Sequence, residues 1–256
     1  MRYLQFKDLH QSGTPFLLGN VWNVQSALVF ERLGFKAIGT SSAAIAHSLG
    51  YQDGEDMPFE DMIFIVSHIC KSTSIPLTVD IESGYGTTAR AVFENIKQLY
   101  NLGVVGINIE DSYVKNEERM QKDKNEFYDF LKDIVWLLKQ ENIKMFINVR
   151  CDSFLLKPGE IGVKDAIERV LLYQTIDIDG IFLPGIVEVE DIKQVKKVLE
   201  LPLNVMCLPN LPNFKALGEV ERISIGNFQN DYIYNILLEL NQEIIRKQSF
   251  KILFDK

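Results

Sequence analysis

Residues that build disulfide frameworks and zinc sites are scarce in this chain. Cysteine occurs only at positions 70, 151 and 207, far apart and with no Cys-x-x-Cys pair. That spacing argues against a disulfide scaffold and against zinc, and leaves three reduced thiols in the core or near a site. Histidine is equally sparse. His10 lies near the terminus, His68 falls on a predicted helix, and only His47 stands close to a segment of interest. Positive charge is in deficit, with 27 Lys and Arg against 35 Asp and Glu, a net charge of −8 and a pI near 5.0. This balance excludes non-specific nucleic-acid binding and attachment to an anionic membrane surface. No apolar run approaches the ~20 residues that a membrane span requires. The segment Met1–His10 contains Asp8 and no long apolar stretch, so a signal peptide is not expected and a cytoplasmic location is.

What the chain does contain is an alternation. Short runs rich in Val, Ile, Leu and Phe occur at Phe16–Gly19, Ala37–Thr40, Leu77–Ile81, Val104–Ile109, Met145–Val149, Gly180–Leu183, Leu203–Leu208 and Arg222–Ile225. They have strand length. Helical patterns separate most of them: Val24–Leu33, Thr88–Leu102, Glu126–Gln140, Val163–Gln174 and Glu188–Leu199, with Asp231–Lys247 after the last. Gly34 and Gly103 stand where two of these stop, and Thr87 or Thr88 can cap the start of one. Between the last two strands only Phe214–Val220 is available, a weak candidate. Eight strands alternating with helices predict an α/β fold, a closed (β/α)₈ barrel, and 256 residues is the usual length of one such domain, taken here as residues 1–256. Two stretches without periodicity, Leu49–Phe59 and Ser112–Asn125, follow strands, where barrel enzymes carry active-site loops.

Three strand ends repeat one polar pattern: Asp80-Ile81-Glu82, Asn108-Ile109-Glu110 and Asn148-Val149-Arg150. Alternation along a strand puts the two polar members of each triplet on one face and the apolar residue on the other. The polar pairs are expected to point into the barrel mouth. Helix caps or an internal salt-bridge network would explain any one of these residues, but three carboxylates around one axis repel one another unless a cation joins them. An oxygen-only, histidine-free set suits Mg²⁺, with Mn²⁺ as the other ion of the same preference, and Mg²⁺ keeps several of its waters. Arg150 offers a planar fork for a carboxylate or a developing enolate oxygen. A rival motif overlaps the first triplet. Gly84-Tyr85-Gly86-Thr87-Thr88-Ala89 matches the dinucleotide fingerprint G-x-G-x-x-A. Asp80 and Glu82 stand against it, because they precede the glycines and would repel a pyrophosphate.

The segments Ala37–Ala43, Val79–Gly86 (VDIESGYG), Gly106–Asp111 (GINIED) and Ile147–Arg150 together resemble the isocitrate lyase/phosphoenolpyruvate mutase superfamily, in order and spacing, over about residues 15–230. The resemblance implies a (β/α)₈ barrel with its last helix exchanged between subunits of a homodimer or homotetramer, a divalent metal, and chemistry on a small 2-oxo acid. It implies Asp80, Glu82 and Glu110 as metal-site acids, Asp53 as a further acid acting through water, Ser41, Ser42 and Ala43 as a cradle for the substrate carboxylate, and Arg150 as the substrate-binding arginine. The loop after the fourth strand departs from the family. It reads Ser112-Tyr113-Val114-Lys115-Asn116-Glu117-Glu118-Arg119-Met120, without the Cys-Gly-His of isocitrate and methylisocitrate lyases and with only a shifted echo, Lys115-Asn116, of the mutase Lys-Thr-Asn-Ser. The loop is expected to close over the site, with Lys115, Glu117 and Glu118 as candidates for proton transfer. Three functions remain open: cleavage or formation of a C–C bond next to a 2-oxo group (lyase, or oxaloacetate hydrolase or decarboxylase), P–C chemistry on a phosphonate, or carboxylate binding without catalysis.

Overall fold

The computed structural model describes residues 2–254. The chain runs α1 (Arg2–Leu9), β1 (Phe16–Val21), α2 (Val24–Arg32), β2 (Ile38–Thr40), α3 (Ser42–Leu49), α4 (Phe59–Ser72), β3 (Leu77–Asp80), α5 (Ala89–Asn101) and β4 (Gly106–Glu110). It continues through β5 (Ser112–Lys115), β6 (Glu118–Gln121), α6 (Lys124–Gln140), β7 (Phe146–Arg150), α7 (Ser153–Leu156), α8 (Gly159–Tyr173), β8 (Gly180–Leu183), α9 (Val189–Lys196), β9 (Leu203–Met206), β10 (Arg222–Ser224) and α10 (Phe228–Lys247). Eight strands close a parallel barrel in the order β1-β10-β9-β8-β7-β4-β3-β2. They are the eight expected apolar runs. The closed barrel also removes the open Rossmann sheet that the glycine motif would require. Gly84 and Gly86 instead bend the chain after β3, and a side chain on Gly84 would collide with Val92.

The helix signals hold where a cap or stop was legible. Thr88 caps α5 by accepting the Ala91 N–H, and Gly34 and Gly103, both at positive φ, follow α2 and α5. Residues 214–219 form turns and no helix. The structure adds α4, whose Phe59, Met62, Val66 and Ile69 are buried at helical spacing. The loop after β4 is ordered as an antiparallel hairpin, β5–β6, turned by Asn116 and Glu117 at φ 52° and 66°. Two successive residues at positive φ make the tight turn whose twist matches paired strands.

Register sets the mouth. Asp80, Asn108 and Asn148 pair side by side, and Glu110 pairs with Arg150 one level higher. Ile81, Ile109 and Val149 are fully buried outside the barrel in the main apolar cluster, as alternation demands. The opposite end is plugged by α1. Phe6 packs edge-on to Phe16 and Phe146, and His10 stacks on Phe146 at 4.2 Å. Helix α10 differs from all the others. It runs for 20 residues with Asn230 its one buried residue, and leaves Tyr232, Ile233, Tyr234, Ile236, Leu237 and Leu238 exposed. No helix among the described residues is long and apolar enough to cross a membrane.

Candidate active site

The C-terminal mouth of the barrel holds a cavity of about 160 Å³, lined by Asn20, Ser41, Ser42, Ala43, Asp53, Asp80, Asn108, Arg150 and residues of β8–β10. Six positions expected at the site therefore meet in one place: the three of the Ser41–Ala43 turn, Asp53, Asp80 and Arg150. The turn opens α3. Ser41 caps it by accepting the Ala44 N–H, which leaves the first-turn amides of Ser42 and Ala43 without partners inside the helix. Ser42 Oγ donates to Asp80 Oδ2 at 3.2 Å, and the Asp80 amide donates to Thr40 Oγ1. These contacts fix the Asp80 carboxylate on the cavity wall.

Glu82 departs from the expected alternation. β3 ends at Asp80, and Glu82 sits at φ 51°, so it does not continue the strand face. Its carboxylate turns to an adjoining small pocket that it shares with Glu55, Glu110, Tyr113 and Val114. There it accepts from the Tyr85 hydroxyl at 2.9 Å and the Glu55 amide at 2.7 Å. Glu82 and Tyr85, neither of them glycine, both have positive φ, costly backbone of the kind that gathers at functional sites.

Glu110 and Arg150 form the buried centre. Arg150 Nη1 lies 2.9 Å from Glu110 Oε2, and its Nε and Nη2 donate to the two oxygens of Asp152 at 2.6 and 3.1 Å. Asp152 is fully buried, and its amide donates to Asp111, which Arg169 and Tyr173 hold from behind. The sequence reading overlooked Asp152. It stands two residues past Arg150, beyond the end of β7, where strand alternation no longer aims a side chain. The reading also overlooked Arg119. This residue reaches in from β6 to contact Glu110, Ser112, Asp152 and Asp53. Lys115 and Glu118, expected as proton carriers, are exposed beside the hairpin turn and line neither cavity, as is Glu117 in the turn itself. They flank a two-residue turn that carries them away from the mouth. His47 and His68 are exposed, and Trp22 lines a groove between α2 and α10.

The acids are incompletely compensated. Burial lifts the Asp80 carboxyl above its ordinary range, against the pull of Arg150 and with the push of Asp53. Burial, then Asp53, Asp80 and Glu110, push Glu82 up to about 8. Burial also raises Glu110, although Arg150 and Arg119 oppose it. Asp152 falls the other way, because Arg150 and hydrogen bonds from Arg150 and Ser112 outweigh its burial. Among the described residues, no three Asp, Glu, His or Cys side chains converge closely enough to ligate one ion directly. Yet Asp80, Glu82, Glu110 and Asp53 offer hard oxygens only, and Glu110 Oε2 makes no well-formed hydrogen bond. Such a set fits a hydrated divalent ion, held by few protein atoms and by acids that bind its waters.

A parallel barrel with an acidic, guanidinium-backed cavity at its C-terminal mouth has the architecture of an α/β-barrel enzyme, whose active sites sit at that face. The comparisons place it further. The sequence model of the phosphoenolpyruvate phosphomutase family matches residues 6–245, and the chain belongs to that family, within the isocitrate lyase/phosphoenolpyruvate mutase superfamily. An uncharacterized protein of Mycobacterium tuberculosis is 31% identical over 88% of this chain and 82% of its own. A 2-methylisocitrate lyase of Aeropyrum pernix is 26% identical over 88% of this chain and 70% of its own. The crystal structure of a "putative phosphonomutase" from Burkholderia cenocepacia superposes with a TM-score of 0.88 at 31% identity, covering 94% and 99% of the two chains.

Proposed function

We propose that this chain is a Mg²⁺-dependent enzyme that makes or breaks a C–C bond next to the oxo group of a small 2-oxo acid. One observation carries the reading. Asp80, Arg150 and the first turn of α3 face a single cavity of about 160 Å³. That space is well below the roughly 300–1,000 Å³ of sites for drug-sized ligands, and suits a short-chain acid. The family supports both the metal and the substrate class, and its relatives include enzymes named for C–C cleavage.

Asp80, directly, and Glu82, Glu110 and Asp53, through water, are the residues that would hold the cation. Once bound, it would supply Lewis-acid polarisation of the oxo group. The chain's own groups do the rest. The Ser42 and Ala43 amides, at a helix N-terminus, receive the substrate carboxylate. Arg150 faces the oxygen that gains charge as the bond breaks and an enolate forms. Asp152 and Glu110 keep the Arg150 fork oriented and protonated, since burial alone would weaken its charge. Tyr113 and Val114 of the β5–β6 hairpin wall the small pocket beside the mouth.

A phosphonate substrate with its P–C bond beside the oxo group meets the same cavity, and the Burkholderia structure's description favours that second reading. A Mg²⁺-dependent screen over oxaloacetate, substituted malates, methylisocitrate, phosphonopyruvate and phosphoenolpyruvate separates the two. Release of inorganic phosphate or a phosphonate marks the second. Turnover that survives excess EDTA contradicts both, and tight oxalate binding with no turnover leaves a carboxylate-binding barrel.

The exposed apolar side chains of α10 support the exchange of that helix between subunits. With α2 it walls an apolar groove lined by Trp22, Val29, Phe30, Tyr232 and Ile233. A second copy of the chain is the occupant that the family resemblance implies, and light scattering checks it, with a monomer as the contrary result.

A further inference from the structure

Arg119 is a site guanidinium that the barrel strands do not carry. It projects from β6 of the hairpin, and its guanidinium ties together two separate parts of the mouth. Nη1 contacts Glu110 Oε1 on β4, with Ser112 Oγ at 2.8 Å and Asp152 Oδ2 at 3.1 Å. Nη2 reaches Asp53 Oδ2 at 3.3 Å, on the loop after α3. Behind that link the same loop and hairpin touch closely. Any side chain at Gly54 would overlap Val114 of β5. Glu110 and Asp53 are two of the acids assigned above to the cation's waters, so Arg119 stands where that hydrated ion would have to be served.

We propose that Arg119 is a resident counter-cation of this cluster, which a divalent ion must displace, so that loading the site and opening the hairpin are one event. The proposal rests on the metal reading given above. Its physical basis is that Glu110 and Asp53 already hold the Arg119 guanidinium and that like charges repel strongly in a partly dry site. Arg150 faces the same acids but is not the group to yield. It is rooted in a barrel strand and pinned through two hydrogen bonds by Asp152. Arg119 hangs from a two-stranded arm, and its outer partner Asp53 retains 39% of its side-chain exposure, so water can take over that contact. With Arg119 in place, Glu110 is contacted by two guanidiniums while Glu82 is contacted by none, an uneven distribution that a more central divalent charge would correct.

The test uses Mn²⁺ as the probe. Electron paramagnetic resonance gives its affinity for the wild-type chain, for Arg119→Met and for Asp80→Ala, and hydrogen–deuterium exchange follows residues 112–121 in the wild type with and without saturating Mn²⁺. The expected results are a Kd at least ten-fold tighter for Arg119→Met and faster exchange of the hairpin when Mn²⁺ binds. Wild-type binding with an unchanged or weaker Kd in Arg119→Met overturns the displacement, and shows that Arg119 merely orders the acids. Hairpin exchange that is unchanged or slowed by Mn²⁺ overturns it as well, and needs no variant to fold. If neither the wild type nor Arg119→Met binds Mn²⁺, or Asp80→Ala binds as well as the wild type, the metal reading itself falls and takes this inference with it.

Discussion

The two ends of the barrel solve opposite problems with the same eight strands. At the N-terminal end α1 inserts Phe6 among Leu18, Ala37, Val105 and Phe146, and the His10 ring stacked there is kept neutral. At the C-terminal end five carboxylates, of Asp53, Asp80, Glu82, Glu110 and Asp152, crowd two guanidiniums. The floor gains stability from apolar burial and aromatic contact. The mouth gives up stability, because burying unpaired charge is unfavourable, and gains a place for a cation and an anion. Strand starts and strand ends thus divide the work between holding the fold and performing chemistry.

That division predicts separable damage. Asp80→Ala should reduce turnover by about 10²–10³-fold or more, the scale of losing a principal electrostatic group. The melting temperature should stay level or rise, since a buried carboxylate in uneasy surroundings is removed. Kinetics beside a thermal melt checks both halves, and a large fall in stability would blur the two ends. Phe6→Ala should do the reverse. Emptying a fully buried aromatic position costs about 3–5 kcal/mol, read by denaturant titration, while turnover per folded molecule stays near wild type.

A subtler comparison concerns pH. Burial, with Arg222 nearby, lowers His10 from its ordinary value to about 3. The folded protein therefore binds fewer protons than the unfolded chain between about pH 3 and 6.5. Stability is full above the unfolded value and is lost as pH falls through that window. His10→Leu should flatten the acid limb of a melting-temperature profile, and an unchanged slope would move the acid sensitivity to other groups. The smallest effect should come from the hairpin turn. Glu117 occupies a left-handed position that glycine fills without strain, so Glu117→Gly should raise the melting temperature slightly, by ~1–3 °C.

The barrel was legible because burial on both faces writes parallel strands as apolar runs, and the polar triplets stood out against them. Asp80 and Arg150 could be aimed by alternation alone. Glu82 could not, because the strand stops two residues earlier and a left-handed residue swings the side chain into the neighbouring pocket. Helix α4 carries its signal openly at Phe59, Met62, Val66 and Ile69, yet it follows the non-periodic stretch Leu49–Phe59 and not a strand, outside the strand–helix alternation. Arg119 was hidden for a different reason. Its direction depends on pairing across a turn, and Asn116-Glu117 lacks the glycine that usually announces one. Without that pairing, Lys115 and Glu118 looked equally able to reach the mouth.

The central claim is that cation and oxyacid occupy the mouth together, through Asp80. Calorimetric titration of oxalate, a small mimic of a 2-oxo acid's chelating end, tests it most directly. The account predicts measurable oxalate binding with Mg²⁺ present, little without it, and none by Asp80→Ala under either condition. Equal oxalate affinity with and without Mg²⁺, or undiminished binding by Asp80→Ala, would contradict it.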